Sequence, residues 1–175
     1  MDGVFVTFMF WYLTDINPSQ ATWAMGVAGA GRNIAAAIAF GCSGTVIRKV
    51  GVINTINLSL GVCVLAFVFY GLMSNPWLAI IPELMQYVCF AFSIPACILF
   101  FKERSPDEYS ATIQGIVYSC YFGVGFGVGA MIGGFLMDII GGSWTFLVFG
   151  GVTMFYDPIF PCFSGHIKTA RATEE

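Results

Sequence analysis

Two ionisable residues, Arg32 and Glu83, stand far inside stretches that otherwise lack charge, and they are the first candidates for chemistry. Arg32 falls about 13 residues into an apolar run, roughly 20 Å along a helix rising 1.5 Å per residue. A charge near the centre of a membrane helix costs on the order of 2.5–3.5 kcal/mol on insertion scales. It therefore calls for a carboxylate partner, an anionic solute group or a water-filled cavity. Glu83 lies about 10 Å along its own helix, counted from Pro76. Gln86 at i+3 and Tyr87 at i+4 share its face. A partly buried carboxylate can carry a proton or bind a solute; the plainer reading is an ion pair with Arg32 that locks two helices. Gln114 and Tyr118, also four apart, can face a polar solute or bond to a neighbouring helix. Asn33 is turned about 100° from Arg32 by its adjacency. The same residue types assemble no nucleophile–base–orienter group and no metal cluster, so neither an enzyme nor a cofactor or metal site is expected.

The elements that must position these groups follow from charge placement. Hydrophobic residues make up 58% of the 175 and charged residues 10%, against about a quarter charged in a soluble domain. Positions 50–82 and 109–137 hold no charge at all, and about 20 apolar residues suffice to cross a bilayer. Spans are expected at about 3–13 (partial), 19–47, 52–73, 76–101, 106–140 and 144–163. Asn75 and Ser105 would be N-caps, each followed by a first-turn proline, and Ser105 to Glu108 would form a capping box. A polar loop is expected at 14–20. Trp144 fits an interfacial belt.

Six of the seven basic residues cluster as Arg48–Lys49, Lys102–Arg104 and Lys168–Arg171. Loops near 48, 102 and 168 alternate with loops near 17, 75 and 142 that hold none. Basic residues are retained on the cytoplasmic side, so residues 1–163 read as one multi-pass unit with a cytoplasmic tail at 164–175. The net charge of −3 is small and says little about partners; the lack of a basic stripe argues against a nucleic-acid partner. The partners expected are the lipid bilayer and a small solute. The six cysteines (Cys42, Cys63, Cys89, Cys97, Cys120, Cys162) lie in apolar runs without metal spacing and read as small buried hydrophobes. Asp157–Pro158 and Pro161 interrupt the last span, and His166 falls in the tail.

Two loops share one spacing: Gly44, Arg48, Gly51 and Gly134, Asp138, Gly141. Their placement on opposite faces is what an inverted three-plus-three repeat would produce. The glycines from Gly123 to Gly134 read as a helix-packing surface, since no strand precedes Gly125-x-Gly127 and no Lys-Ser/Thr follows it.

At these residues the chain resembles the major facilitator superfamily. Gly44 to Gly51 is similar to its cytoplasmic loop motif between helices 8 and 9, with Arg48 where an acidic residue is usual. Gly133 to Asp138 resembles the end of helix 11. Asn75–Pro76–Trp77, Pro82–Glu83–Leu84, Ala111 to Gly115 and Tyr121 to Gly125 resemble the group of major facilitator superfamily domain-containing protein 6 and its relatives. The resemblance implies an all-α integral membrane protein: the C-terminal half of a transporter, helices 7–12, with a truncated first helix and an absent N-terminal half as partner. It implies alternating access of a small polar solute, with proton symport as one mode. Arg32, Glu83, Gln86, Gln114 and Tyr118 would contact or couple the solute, and Gly44, Arg48, Lys49, Gly51 and Asp138 would gate. A non-transporting membrane scaffold, or an inactive fragment, is the alternative.

Overall fold

The computed structural model describes residues 2–156; Asp157, Pro158, Pro161, Cys162, His166, Lys168 and Arg171 lie outside them. Seven α-helices follow in order: α1 (Asp2–Ile16), α2 (Pro18–Val50), α3 (Val52–Leu72), α4 (Ile80–Lys102), α5 (Ser110–Tyr118), α6 (Phe126–Ile140) and α7 (Gly142–Tyr156). No strand occurs among the described residues. Four helical segments are long and apolar enough to cross a bilayer: 18–50, 52–72, 76–102 and 110–140. Phe5–Ile16 and Gly142–Phe155 are shorter apolar helices. At 33 residues, α2 is about 50 Å long and exceeds the roughly 30 Å hydrocarbon core, so it tilts or projects beyond it. Side chains such as Trp23, Met131, Phe135 and Phe155 are more than 60% exposed. Such a surface is stable only against lipid.

The breaks between helices have local causes. The expected loop at 14–20 shrinks to Asn17: α1 runs on to Ile16, and the Asn17 N–H still donates to the Leu13 carbonyl (3.0 Å). Pro18 forces the residue before it out of helical dihedrals, and Asn17 sits at φ −160°, ψ 100°. Its side chain accepts from the backbone N–H (3.2 Å) and hydroxyl (2.8 Å) of Ser19, capping α2. Asn75–Pro76 repeats the device, with Asn75 accepting from the Trp77 N–H (3.1 Å), and a 3₁₀ turn at Pro76–Ala79 leads into α4. The capping box expected at Ser105–Glu108 is absent. A 3₁₀ turn at Asp107–Tyr109 takes the first donors, with the Tyr109 N–H on Pro106 (3.1 Å), and α5 begins at Ser110 without a side-chain cap.

Within the expected span 106–140 the chain is helical without a break from 110 to 140 but changes its winding. Between α5 and α6 the chain widens into a π segment, Ser119–Gly125, where the Phe126 N–H reaches back to Tyr121. A Cβ on Gly125 would lie 3.1 Å from the Cys120 carbonyl oxygen, so the wide turn is tight for any larger residue. The glycine run then divides. Gly129 and Gly133 are buried in α6, which packs on α1, and a Cβ on Gly134 would meet the Phe8 ring at 2.9 Å. Gly123 and Gly127 have open space where a Cβ would stand. Packing accounts for the second part of the run only.

The core is aromatic. Phe5 and Tyr12 of α1, Phe67 and Tyr70 of α3, and Phe146 of α7 stack with centroid separations of 4.3 to 5.6 Å. Tyr12 ties this cluster to its ends, donating to the Tyr70 carbonyl (3.2 Å) and sharing a 2.8 Å hydrogen bond with Ser143. On the other side α4 packs along both α2 and α3.

The two loops of common spacing are built alike. Gly51 (φ 91°, ψ 151°) ends α2 with its N–H on the Ile47 carbonyl, and Gly141 (φ 79°, ψ 167°) ends α6 with its N–H on Met137. Four residues on, Thr55 and Thr145 each donate both backbone N–H and hydroxyl to that glycine's carbonyl. One turn structure thus closes two helices separated by 90 positions. These dihedrals belong almost solely to glycine, at a cost of about 1–3 kcal/mol for other residues. Gly51→Ala and Gly141→Ala should each lower stability by about that amount in denaturant titrations of the purified protein. Gly44→Ala, where a Cβ meets open space, should change it by under about 0.5 kcal/mol.

Candidate functional site

Arg32 and Glu83 meet. The Nη1 of Arg32 lies 2.9 Å from Oε2 of Glu83, joining α2 to α4. Glu83 is buried, at 2% exposure, and its other oxygen accepts from the Tyr70 hydroxyl of α3 at 2.8 Å. The Tyr70 oxygen also lies 2.9 Å from Met9 Sδ of α1. Four helices therefore converge on one carboxylate. The Arg32 guanidinium stands 4.8 Å from the centroid of the Tyr87 ring, a cation–π contact one turn beyond Glu83 on α4. The pair is not sealed: the Arg32 side chain keeps 26% of its surface, and its buried Nε–H has no acceptor.

Why these groups meet is a matter of helix register. Glu83 lies in the first turn of α4, directly after the Pro76–Ala79 segment, so the Asn75 cap sets its depth. Gln86, one turn on, is 5% exposed and its Oε1 accepts a long Cys63 S–H contact (3.7 Å) from α3. Glu83 and Gln86 form the polar edge of a cavity of about 120 Å³. Aromatic rings supply most of its remaining wall. Tyr87 and Phe90 come from α4, and Tyr121 and Phe122 from the π segment. Phe90 lies 5.4 Å from Tyr121 and 6.1 Å from Phe122, and the last two meet edge to face at 4.9 Å. Phe5 and Phe126 complete the enclosure. Val6 and Phe122 also line it and are about half exposed, at 51% and 52%.

Of the expected contact residues, Arg32, Glu83 and Gln86 are brought together. Gln114 and Tyr118 are not: both are exposed on α5, outside the lining of this cavity, with Tyr118 stacked on Phe122 at 6.1 Å. Asn33 is exposed and its amide returns to the Gly29 carbonyl (2.6 Å). The gating candidates Gly44, Arg48, Lys49 and Gly51 sit exposed at the end of α2, and Asp138 at the end of α6, beside a groove between α1 and α6. Among the described residues no group of three or more His, Cys, Asp or Glu side chains is placed to hold a metal.

The sequence reading missed Tyr70, which supplies the second bond to Glu83. It also missed the ring wall from α1 and the π segment. Tyr70 was one aromatic among several in an apolar run, and only its depth beside Glu83 distinguishes it. The signal that pointed to the π segment was the local density of glycine between Cys120 and Gly129.

A bundle of apolar helices facing lipid, with a charge pair held beside a small, partly open cavity, defines a polytopic helical membrane protein. Comparison then places it: residues 1–148 match the MFS_1 like family, and the chain belongs to that family. It is 28% identical over 110 residues to YwbF, an uncharacterized transporter of Bacillus subtilis (strain 168). That similarity covers 61% of this chain and 27% of the relative, so the chain matches about a quarter of that protein's length. No solved structure matches.

Removing one partner of a buried pair leaves the other charge uncompensated, at a cost of about 3–5 kcal/mol. With Arg32 one-quarter exposed, Arg32→Ala should lie near the low end, about 3 kcal/mol, and Tyr70→Phe should lose about 1.5–3 kcal/mol. A double-mutant cycle of Arg32→Met and Glu83→Leu, read by reversible unfolding in micelles, should show coupling; additive effects would mean that the two groups do not interact.

Proposed function

We propose that this chain forms part of a secondary active transporter that carries a small polar solute by alternating access. The observation that carries the reading is the Arg32–Glu83 pair, buried between two spanning helices at the edge of a cavity, in a chain of the MFS_1 like family. The Nε–H of Arg32 has no protein acceptor among the described residues, and its side chain keeps 26% of its surface, which leaves room for a further partner at the pair. A proton arriving at Glu83 would weaken its hold on Arg32 and release α2 from α4. Proton symport through Glu83 is thus a natural drive for the cycle.

The unit reads as helices 7–12 of a twelve-helix arrangement, with α1 in the place of helix 7 and an N-terminal half as its partner. The like-built turns at Gly51 and Gly141 support a three-plus-three inverted repeat. The exposed face of α5 with Gln114 and Tyr118 is where that other half would close the solute path. Arg48, Lys49, Lys102 and Arg104 favour the cytoplasmic side for their turns, and the gating role falls to those turns and to Asp138. In its motifs the chain also resembles the group of major facilitator superfamily domain-containing protein 6, and we read it as similar to that group.

The test is uptake of radiolabelled small polar solutes by proteoliposomes carrying the full-length parent. For any solute taken up, Arg32→Ala and Glu83→Gln should each reduce uptake by about tenfold or more, equivalent to 1.4 kcal/mol. Unchanged uptake in both variants would remove the site from the mechanism. Residues 49 and 75, each replaced by cysteine, should label from opposite compartments; labelling from one compartment would overturn the topology.

A further inference from the structure

The cavity beside Glu83 carries an inference about what it accepts, and this rests on the transporter reading of the same site. Its volume of about 120 Å³ is a little below the engineered 150 Å³ protein cavity that binds benzene. It therefore holds one ring or its equivalent. Ring faces and edges dominate its wall, through Tyr87, Phe90, Tyr121 and Phe122, and such surfaces favour a planar guest by stacking and edge contacts.

The charge of that guest is decided by the pair already present. An anionic guest would face the Glu83 carboxylate, while the guanidinium of Arg32 is turned to Glu83 and Tyr87 and does not line the cavity. A cationic guest would gain from the rings, on the order of 30-fold in affinity for a desolvated cation–π contact. It would also add an uncompensated charge, because Arg32 already balances Glu83. Burying an unmatched ion costs well over a hundredfold, so the rings do not make up the loss. Hydrogen bonds remain on offer. An ionised carboxylate has about four acceptor sites, and Arg32 and Tyr70 use two of those on Glu83.

We infer that the site takes an uncharged, planar, single-ring solute bearing at least one hydrogen-bond donor, seated among Phe90, Tyr121 and Phe122 with its donor on Glu83. Specificity then resides in the ring wall and in the completed charge balance of the Arg32–Glu83 pair. The guest need not break that pair to bind.

The full chain in micelles, titrated at neutral pH with three fluorinated rings and followed by fluorine NMR, tests this. The probes are 4-fluorophenol (neutral), 4-fluorobenzylamine (cationic) and 4-fluorobenzoate (anionic). Partition into the micelle is removed by comparison with two cavity-filled variants, Phe90→Trp and Val6→Trp; the second sits at a half-exposed position and tolerates the larger ring. The expected result is saturable 4-fluorophenol binding that is lost in the filled variants and is at least tenfold tighter than that of either ion. Equal or tighter binding of an ion in the same cavity overturns the neutral assignment. Identical behaviour of all probes in the wild type and both filled variants overturns the cavity as a ring site. Neither outcome depends on transport, so uptake that fails to respond to Arg32→Ala and Glu83→Gln bears on the transporter reading separately.

Discussion

A charge in hydrocarbon has to be matched, and this fold is arranged around one match. The Arg32–Glu83 pair joins α2 and α4, Tyr70 brings α3 to the same carboxylate, and Met9 brings α1 to Tyr70. Lipid gives helices little reason to associate through apolar surface alone. A polar centre bonded together by α2, α3 and α4 therefore supplies both affinity and register. The aromatic stack of Phe5, Phe67, Tyr70 and Phe146 then fixes how α1, α3 and α7 close around it.

The same centre sets the character of the neighbouring cavity. Because the carboxylate is already matched, the cavity it borders is polar at one edge without offering a net charge. The π segment completes the wall. By widening one turn between α5 and α6, it presents Tyr121 and Phe122 toward Phe90. Such wide turns recur at functional sites because they redirect side chains that a regular helix would carry elsewhere. Regular α-geometry across 119–125 would give these rings a different angular order.

Local rules accounted for several features directly. Asn17–Pro18 and Asn75–Pro76 cap and break the chain as their chemistry demands, although the first break was narrower than the polar run around it implied. Gly51 and Gly141 occupy dihedrals that only glycine holds without strain, which explains why two loops of like spacing fold alike. Ser105–Pro106 carried the same outward signs of a helix start, yet the 3₁₀ turn at Asp107–Tyr109 reached the donors first. A four-residue pattern does not reveal which of two competing hydrogen-bond schemes the neighbouring turns favour.

The amino-acid order alone determined that this chain lies in a membrane, that Asn17–Pro18 and Asn75–Pro76 break its helices, and which two mid-span charges need partners. Each of these follows from the cost of placing a charge or an unmet backbone group in an apolar medium, and that cost is paid residue by residue. Three matters were decided only in three dimensions: that Tyr70 completes the carboxylate's bonds, that Gln114 and Tyr118 stand away from the cavity, and that rings from α1, α4 and the π segment enclose it. In spans that are apolar on every side, an aromatic residue turned to lipid and one turned to a neighbouring helix read the same. Only the packing of the helices tells them apart.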